Sequence, residues 1–103
     1  MNKLEFQRMP VEEAKCLIDN PNLIILDTRD SQSYQAGHVP RARNFHEPDF
    51  INFCRDTNKN KMILVYCYKG FSCQAVAQRL AEQGFSKVYS MDGGFTGWAE
   101  QND

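Results

Sequence analysis

No uninterrupted apolar run in this 103-residue chain is longer than seven residues, Met62 to Tyr68. A membrane-spanning helix needs about 20, so no such helix is expected. An excess of charge of one sign is missing too: 12 Lys and Arg face 13 Asp and Glu, a formal net charge of −1. That removes any general electrostatic case for nucleic acid or an anionic membrane surface as the partner. The start of the chain, Met1-Asn2-Lys3-Leu4-Glu5-Phe6, has no hydrophobic stretch and no small-residue cleavage site. No secretory signal is expected, and the cytoplasm is the default address. None of the 4 cysteines is spaced C-x-x-C with another, which argues against structural zinc and thioredoxin-like sites. Repeats, low-complexity tracts and linker-like stretches are also absent, and residues 1–103 read as one domain.

The apolar fraction of 42% and charged fraction of 24% are ordinary for a globular chain. A chain of this size buries roughly 60–70% of the surface its unfolded form exposes. With that core and no export signal, Cys16, Cys54, Cys67 and Cys73 are expected to be reduced thiols rather than a disulfide framework.

Elements alternate along the chain. Leu4–Phe6 reads as a short first strand, and Pro10 suits the first position of a helix. Val11, Ala14, Leu17 and Ile18 form the stripe of that amphipathic helix, with Glu12 and Glu13 in its first turn. Asn20-Pro21-Asn22 stops it. Leu23-Ile24-Ile25-Leu26 is a continuous apolar run, the pattern of a strand buried on both faces. Asp30 or Ser31 then caps a short helix to Ala36, ended by Gly37. Arg43 to Phe45 reads as a small strand and Asp49 to Arg55 as a helix. Met62-Ile63-Leu64-Val65-Tyr66 is the clearest strand. A helix from about Ser72 to Gln83, capped at Ser72, follows it with Cys73, Val76, Ala77 and Leu80 on one face. Lys87 to Met91 is the next strand, and Asp92-Gly93-Gly94 turns into a last helix containing Trp98. This alternation predicts an α/β domain with a mostly parallel sheet, whose ligands gather beyond the carboxyl ends of the strands.

Cys67 occupies such an end. Between a buried strand and a helix start it meets backbone N–H groups without intrahelical partners, and these favour an anion. The helix dipole is worth about 0.3–1 kcal/mol, up to about 2 when partly buried. One pKa unit is about 1.4 kcal/mol, so the dipole lowers a thiol by about a unit. Loop N–H groups and Lys69 extend this toward the range of roughly 3.5–7.5 seen for reactive thiols. Against this stands the plain reading of an inert buried cysteine ending an apolar strand. The local sequence leaves both open.

Three separated stretches resemble the rhodanese family. Leu26-Asp27-Thr28-Arg29-Asp30 followed by Gly37-His38-Val39-Pro40-Arg41-Ala42-Arg43-Asn44 resembles its first signature. Val65-Tyr66-Cys67-Tyr68-Lys69-Gly70-Phe71-Ser72 resembles its active-site strand and loop, and Gly93-Gly94-Phe95-Thr96-Gly97-Trp98 its closing signature. In order, they cover nearly the whole chain. The loop is most similar to that of small bacterial thiosulfate sulfurtransferases encoded with glycerol-phosphate genes. The resemblance implies a five-stranded parallel sheet flanked by helices on both faces. It implies a cradle, Cys67 to Ser72, whose N–H groups point at the sulfur, with Tyr68, Lys69, Gly70, Phe71 and Ser72 as the substrate-binding loop. It further implies that Cys67 takes sulfur from thiosulfate as a persulfide and yields it to cyanide or to a thiol acceptor such as thioredoxin or a dithiol. No metal or other cofactor is called for.

The chain departs from the family pattern in places. Lys69 stands where Arg, His or another polar residue is frequent, Phe71 makes the loop mouth apolar, and Arg41 replaces a usual Gly. Cys73 follows directly on the cradle, either packed on the apolar stripe of its helix or acting as a resolving thiol toward Cys67. Asp27 and Arg29 read either as an ion pair tying loops together or as part of the active face. His38 reads as ordering its turn, His46 as exposed, Cys16 and Cys54 as structural, and Trp98 and Phe95 as packing the last helix. A Cys-x5-Arg phosphatase or arsenate reductase is disfavoured, because the sixth residue after Cys67 is Cys73 and no arginine lies between. A non-catalytic binding module and a persulfide relay between proteins remain as alternatives.

Overall fold

The computed structural model describes residues 5–101. Five strands, β1 (Gln7–Met9), β2 (Leu23–Asp27), β3 (Arg43–Asn44), β4 (Met62–Tyr66) and β5 (Lys87–Met91), form one sheet in the order β1-β5-β4-β2-β3. Every pairing is parallel. Helices α1 (Val11–Leu17), α2 (Ser31–Ala36), α3 (Phe50–Asp56), α4 (Cys73–Glu82) and α5 (Gly94–Gln101) connect and cover them, with a 3-10 turn over Glu47–Asp49 leading into α3.

The continuous apolar strands split by parity between the two faces, as a period of two requires. Ile24 and Leu26 of β2 and Ile63 and Val65 of β4 join Phe53 of α3 and Ala77 and Leu80 of α4 in one core layer. Leu23 and Ile25 of β2 and Leu64 and Tyr66 of β4 face the other way, against Val11 and Ala14 of α1 and Trp98 of α5. Full burial of each large side chain in these layers contributes about 1.5–3 kcal/mol. Phe95 packs on the second layer beside Trp98.

The first strand lies at Gln7–Met9 rather than at 4–6. Leu4 is outside the described residues, while Glu5 and Phe6 are irregular. This edge strand is set by its partner: Met9 pairs with Met91 and is 2% exposed, which brings an apolar side chain into the core that a strand ending at Phe6 would not. Pro10 sits at the N-cap of α1, one place ahead of the expected position, and its carbonyl accepts from Glu13 and Ala14.

The order of the strands positions the site. From β2 the chain moves outward to β3, and from β4 it moves outward the opposite way to β5. Their carboxyl ends therefore flank a crevice at the topological switch point, where α/β sheets bind ligands. Cys67 directly follows Tyr66, the last residue of β4.

Candidate active site

The loop after β4 curls around one sulfur atom. Cys67 Sγ accepts from the backbone N–H of Gly70 at 3.3 Å and from that of Cys73 at 3.4 Å. What turns these donors inward is visible on the far side of the loop. The N–H groups of Phe95 and Thr96, in the first turn of α5, donate to the carbonyls of Cys67 and Tyr68 at 2.8 and 2.9 Å. With those carbonyls held by α5, the amide side of the loop is left for the sulfur.

Glycine is required at both contact points. Gly70 has φ +92°, and a Cβ there would lie 2.9 Å from the Gly93 nitrogen. Gly94 has φ +57°, and its Cβ would lie 2.5 Å from the Tyr68 carbonyl oxygen and 2.6 Å from that of Cys67. Gly94 therefore serves the close backbone approach of α5 to the loop.

Cys67 is 4% exposed, and burial alone would raise its pKa. Hydrogen bonds reverse this: the Cys73 thiol first, then the Ser72 hydroxyl and the N–H groups of Cys73 and Gly70, lower it to about 4. At neutral pH the sulfur is a thiolate, the nucleophilic form. Ser72 holds the N-cap position of α4 expected of it, without the side-chain bond of a cap. It has helical φ and ψ, and its hydroxyl is among the groups that lower the Cys67 pKa.

The remaining loop residues face outward. Tyr68 is half exposed, and its hydroxyl donates to Asp30 at 2.9 Å and meets Ser33, so the loop is tied to the N-terminus of α2. Asp30 is also the α2 N-cap, accepting from Ser33 N–H at 3.2 Å. Phe71 is 75% exposed. Lys69 is exposed and has no ion pair or hydrogen bond among the described residues.

Asp27 and Arg29 form a buried, bidentate ion pair, with Nη2 to Oδ2 at 2.8 Å and Nε to Oδ1 at 3.1 Å. Arg29 also donates to the Gly37 carbonyl at 2.6 Å and lies 4.1 Å from the Phe95 ring centre. The pair joins β2, the end of α2 and α5 beneath the crevice. Its third member, Tyr66, went unnoticed in the sequence. The Tyr66 hydroxyl donates to Asp27 at 2.6 Å and accepts from Val39 N–H at 3.1 Å, and burial, then the Asp27 bond, push its pKa up. A tyrosine closing a fully apolar strand was the available signal, because a buried phenol hydroxyl needs a partner.

Two of the remaining residues differ from expectation. His46 is not simply exposed: it is half-buried, with Nε2 3.0 Å from the Arg29 carbonyl, and it forms a capping box with Asp49 at the 3-10 turn. Only the tertiary fold brings Arg29 to it. Cys16 is exposed on α1 rather than structural, whereas Cys54 is buried and its pKa is raised by that burial. His38 does order its turn, with Nδ1 2.7 Å from the Tyr34 carbonyl and its ring stacked on Tyr34 at 3.9 Å. All four cysteines are free thiols. Among the described residues no helix is long and apolar enough to cross a membrane.

The family description Rhodanese-like domain matches residues 10–101. The chain belongs to the rhodanese-like family. This rhodanese domain is 39% identical over 95 residues to thiosulfate sulfurtransferase GlpE of Pseudoalteromonas translucida, covering 92% of this chain and 90% of that protein. It is 43% identical over 94 residues to thiosulfate sulfurtransferase GlpE of Pseudomonas putida, covering 91% and 86%. Among solved structures, the rhodanese-like domain of an Anabaena sp. protein superposes with a TM-score of 0.80 at 23% identity, covering 98% of this chain and 76% of that one. A rhodanese-related protein of Thermoplasma volcanium gives 0.79 at 19% identity, covering 93% of each. These neighbours share the five-stranded parallel architecture with helices on both faces.

Proposed function

We propose that the chain, as one domain, is a thiosulfate sulfurtransferase in which Cys67 is the nucleophile and Tyr68, Lys69, Gly70, Phe71 and Ser72 form the substrate-binding loop. The observation that carries this reading is the convergence of the Gly70 and Cys73 amides on the Cys67 sulfur. Relatives about 40% identical over most of the chain, which bear that activity in their names, support the choice of substrate.

The Cys67 thiolate attacks the outer sulfur of thiosulfate. The thiosulfate S–S bond breaks, its electron pair leaves with sulfite, and a new S–S bond makes Cys67 a persulfide. A thiophilic acceptor, cyanide in an assay or a thiol such as thioredoxin or a dithiol in the cytoplasm, then attacks the outer sulfur. Cys67 departs as thiolate, and no net oxidation occurs. The amides that stabilise the thiolate as nucleophile also make it a good leaving group, since a thiol of low pKa leaves faster. Lys69, exposed on the loop, adds positive charge where a dianion enters.

Incubation with thiosulfate followed by intact mass measurement tests this. One added sulfur atom is expected on the native chain and none on Cys67→Ala, together with cyanide-dependent thiocyanate formation. No mass gain and no thiocyanate would sink the thiosulfate reading.

A further inference from the structure

Thr28 and Cys67 stand side by side on adjacent strands. The ladder of β2 and β4 pairs Asp27 with Tyr66 and continues one residue further, where the Thr28 N–H donates to the Tyr66 carbonyl at 3.0 Å. Phe45 extends the row, its N–H donating to the Asp27 carbonyl at 2.8 Å. Neighbouring strands lie about 4.8 Å apart. The period of two puts Thr28 and Cys67 on the sheet face of Leu26 and Val65, covered by α3 and α4.

On that face Thr28 opens into a cleft of about 200 Å³ walled by the apolar side chains of Phe45, Phe50 and Val76. A cavity of about 150 Å³ already holds a molecule the size of benzene. Glu47 and Arg79 supply the charge in the lining. Arg79 comes six residues after Cys73 on α4, so it lies about 9 Å along the helix from the amide that meets the Cys67 sulfur. Its guanidinium is stacked 4.1 Å from the Phe50 ring centre. Nη1 donates to both Glu47 oxygens, at 2.7 and 2.9 Å. Nε and Nη2 have no hydrogen bond to the described residues. The pair is largely exposed, and such pairs are weak, so an incoming carboxylate can share or take the guanidinium. His46, also in the lining, is engaged with the Arg29 carbonyl, which leaves Arg79 as the cation of the cleft.

We propose that this cleft is the acceptor subsite and that its ligand is a short-chain organic thiol bearing a carboxylate, with the carboxylate on Arg79 and the sulfur beside Thr28. The proposal rests on Cys67 forming a persulfide and names the class of molecule that discharges it. The acceptor thiolate attacks the outer sulfur of the Cys67 persulfide. A new S–S bond makes the acceptor a persulfide, the old S–S bond breaks, and its electron pair returns to Cys67 as thiolate. The apolar walls take the carbon chain, and the bidentate geometry of guanidinium and carboxylate fixes its orientation.

The test is discharge of the preloaded persulfide. Protein loaded with thiosulfate and desalted is mixed with 3-mercaptopropionate or with its neutral amide, 3-mercaptopropanamide, and loss of the added sulfur is followed by intact mass. Each thiol is compared with itself across variants. In Arg79→Gln the second-order constant for 3-mercaptopropionate should fall by about two- to fivefold, the effect of a partly exposed charge pair. That for the amide should not fall. Glu47→Gln, which removes the competing carboxylate, should raise the constant for 3-mercaptopropionate, an increase that general damage to the fold cannot imitate. Constants for 3-mercaptopropionate that neither variant alters, or an equal loss with both thiols, overturn the proposal. A native persulfide that reduced thioredoxin discharges and 3-mercaptopropionate does not overturns it as well. If thiosulfate fails to load Cys67, the thiosulfate reading falls by itself; persulfide made with inorganic polysulfide then enters the same discharge assay.

Discussion

The Tyr66 hydroxyl donates to Asp27 Oδ2 at 2.6 Å, locking the last residue of β4 to the last residue of β2 beneath the crevice. Tyr66→Phe removes a donor from Asp27 and the acceptor of Val39 N–H. A buried group left unsatisfied costs about 1–3 kcal/mol, so the unfolding free energy from urea titration should fall by that amount while Cys67 keeps its low pKa. Asp27→Ala leaves the Arg29 charge buried and unpaired and should cost more, about 3–5 kcal/mol.

Gly94→Ala should damage the site from behind. Its Cβ would lie 2.5 Å from the Tyr68 carbonyl oxygen, which is backbone and cannot swing aside. The α5 end must back away, freeing the Cys67 and Tyr68 carbonyls to turn and loosening the amides on the sulfur. Thiocyanate production should fall at least about tenfold, the effect of about 1.4 kcal/mol in the barrier, with a raised Cys67 alkylation midpoint. An unchanged rate in a folded variant would disprove the clamp.

Cys67 links stability to pH with a definite sign. Its folded pKa, about 4, lies below the ordinary thiol value, near 8.5 in an unfolded chain. Between these limits the unfolded state binds the extra proton, so its contribution rises with pH. It is complete above about 8.5 and is lost as pH falls toward 4. The difference in unfolding free energy between the native chain and Cys67→Ala should widen across that window and stay flat below it; a difference independent of pH would refute the anionic sulfur.

Lys69 should act on thiosulfate without acting on the protein. An exposed charge contributes about 0.2–1 kcal/mol, so Lys69→Ala should raise the KM for thiosulfate by about 1.4- to fivefold, with stability unchanged. The effect should shrink at high ionic strength. Steady-state kinetics at two salt concentrations decide it.

Arg41 has φ +72° where the family pattern usually has glycine. Its guanidinium donates to the Ile18 carbonyl and to that of Asn20 at 3.2 Å, tying the β3 approach to the end of α1. Left-handed backbone costs a non-glycine residue about 1–2 kcal/mol, and the two carbonyl bonds offset it. Arg41→Ala keeps the strain and loses the bonds, whereas Arg41→Gly loses both together. Urea unfolding should place the glycine variant about 1 kcal/mol above the alanine variant; equal midpoints would contradict the offset.

Much of this protein was legible in its sequence. Leu23–Leu26 and Met62–Tyr66 are short runs apolar on consecutive residues, the pattern of strands covered on both faces. Pro10, Asp30 and Gly37 marked helix limits through their own backbone and side-chain chemistry. Cys67 drew notice because a strand-to-helix junction exposes N–H groups, and the amides of Gly70 and Cys73 do meet its sulfur. These are short-range properties, set by a residue and its near neighbours.

Tertiary structure decided the rest. β1 lies at Gln7–Met9 because pairing with β5 selects the register of an edge strand. His46 meets Arg29, and Tyr66 meets Asp27, across 17 and 39 residues of chain. Gly94 belongs to the site because α5 returns to touch the loop from behind. Cys73 lies on the apolar stripe of its helix, and only the fold shows its buried sulfur meeting Ser90 of β5. Such contacts depend on where distant segments come together, and residue spacing along one segment carries no term for that.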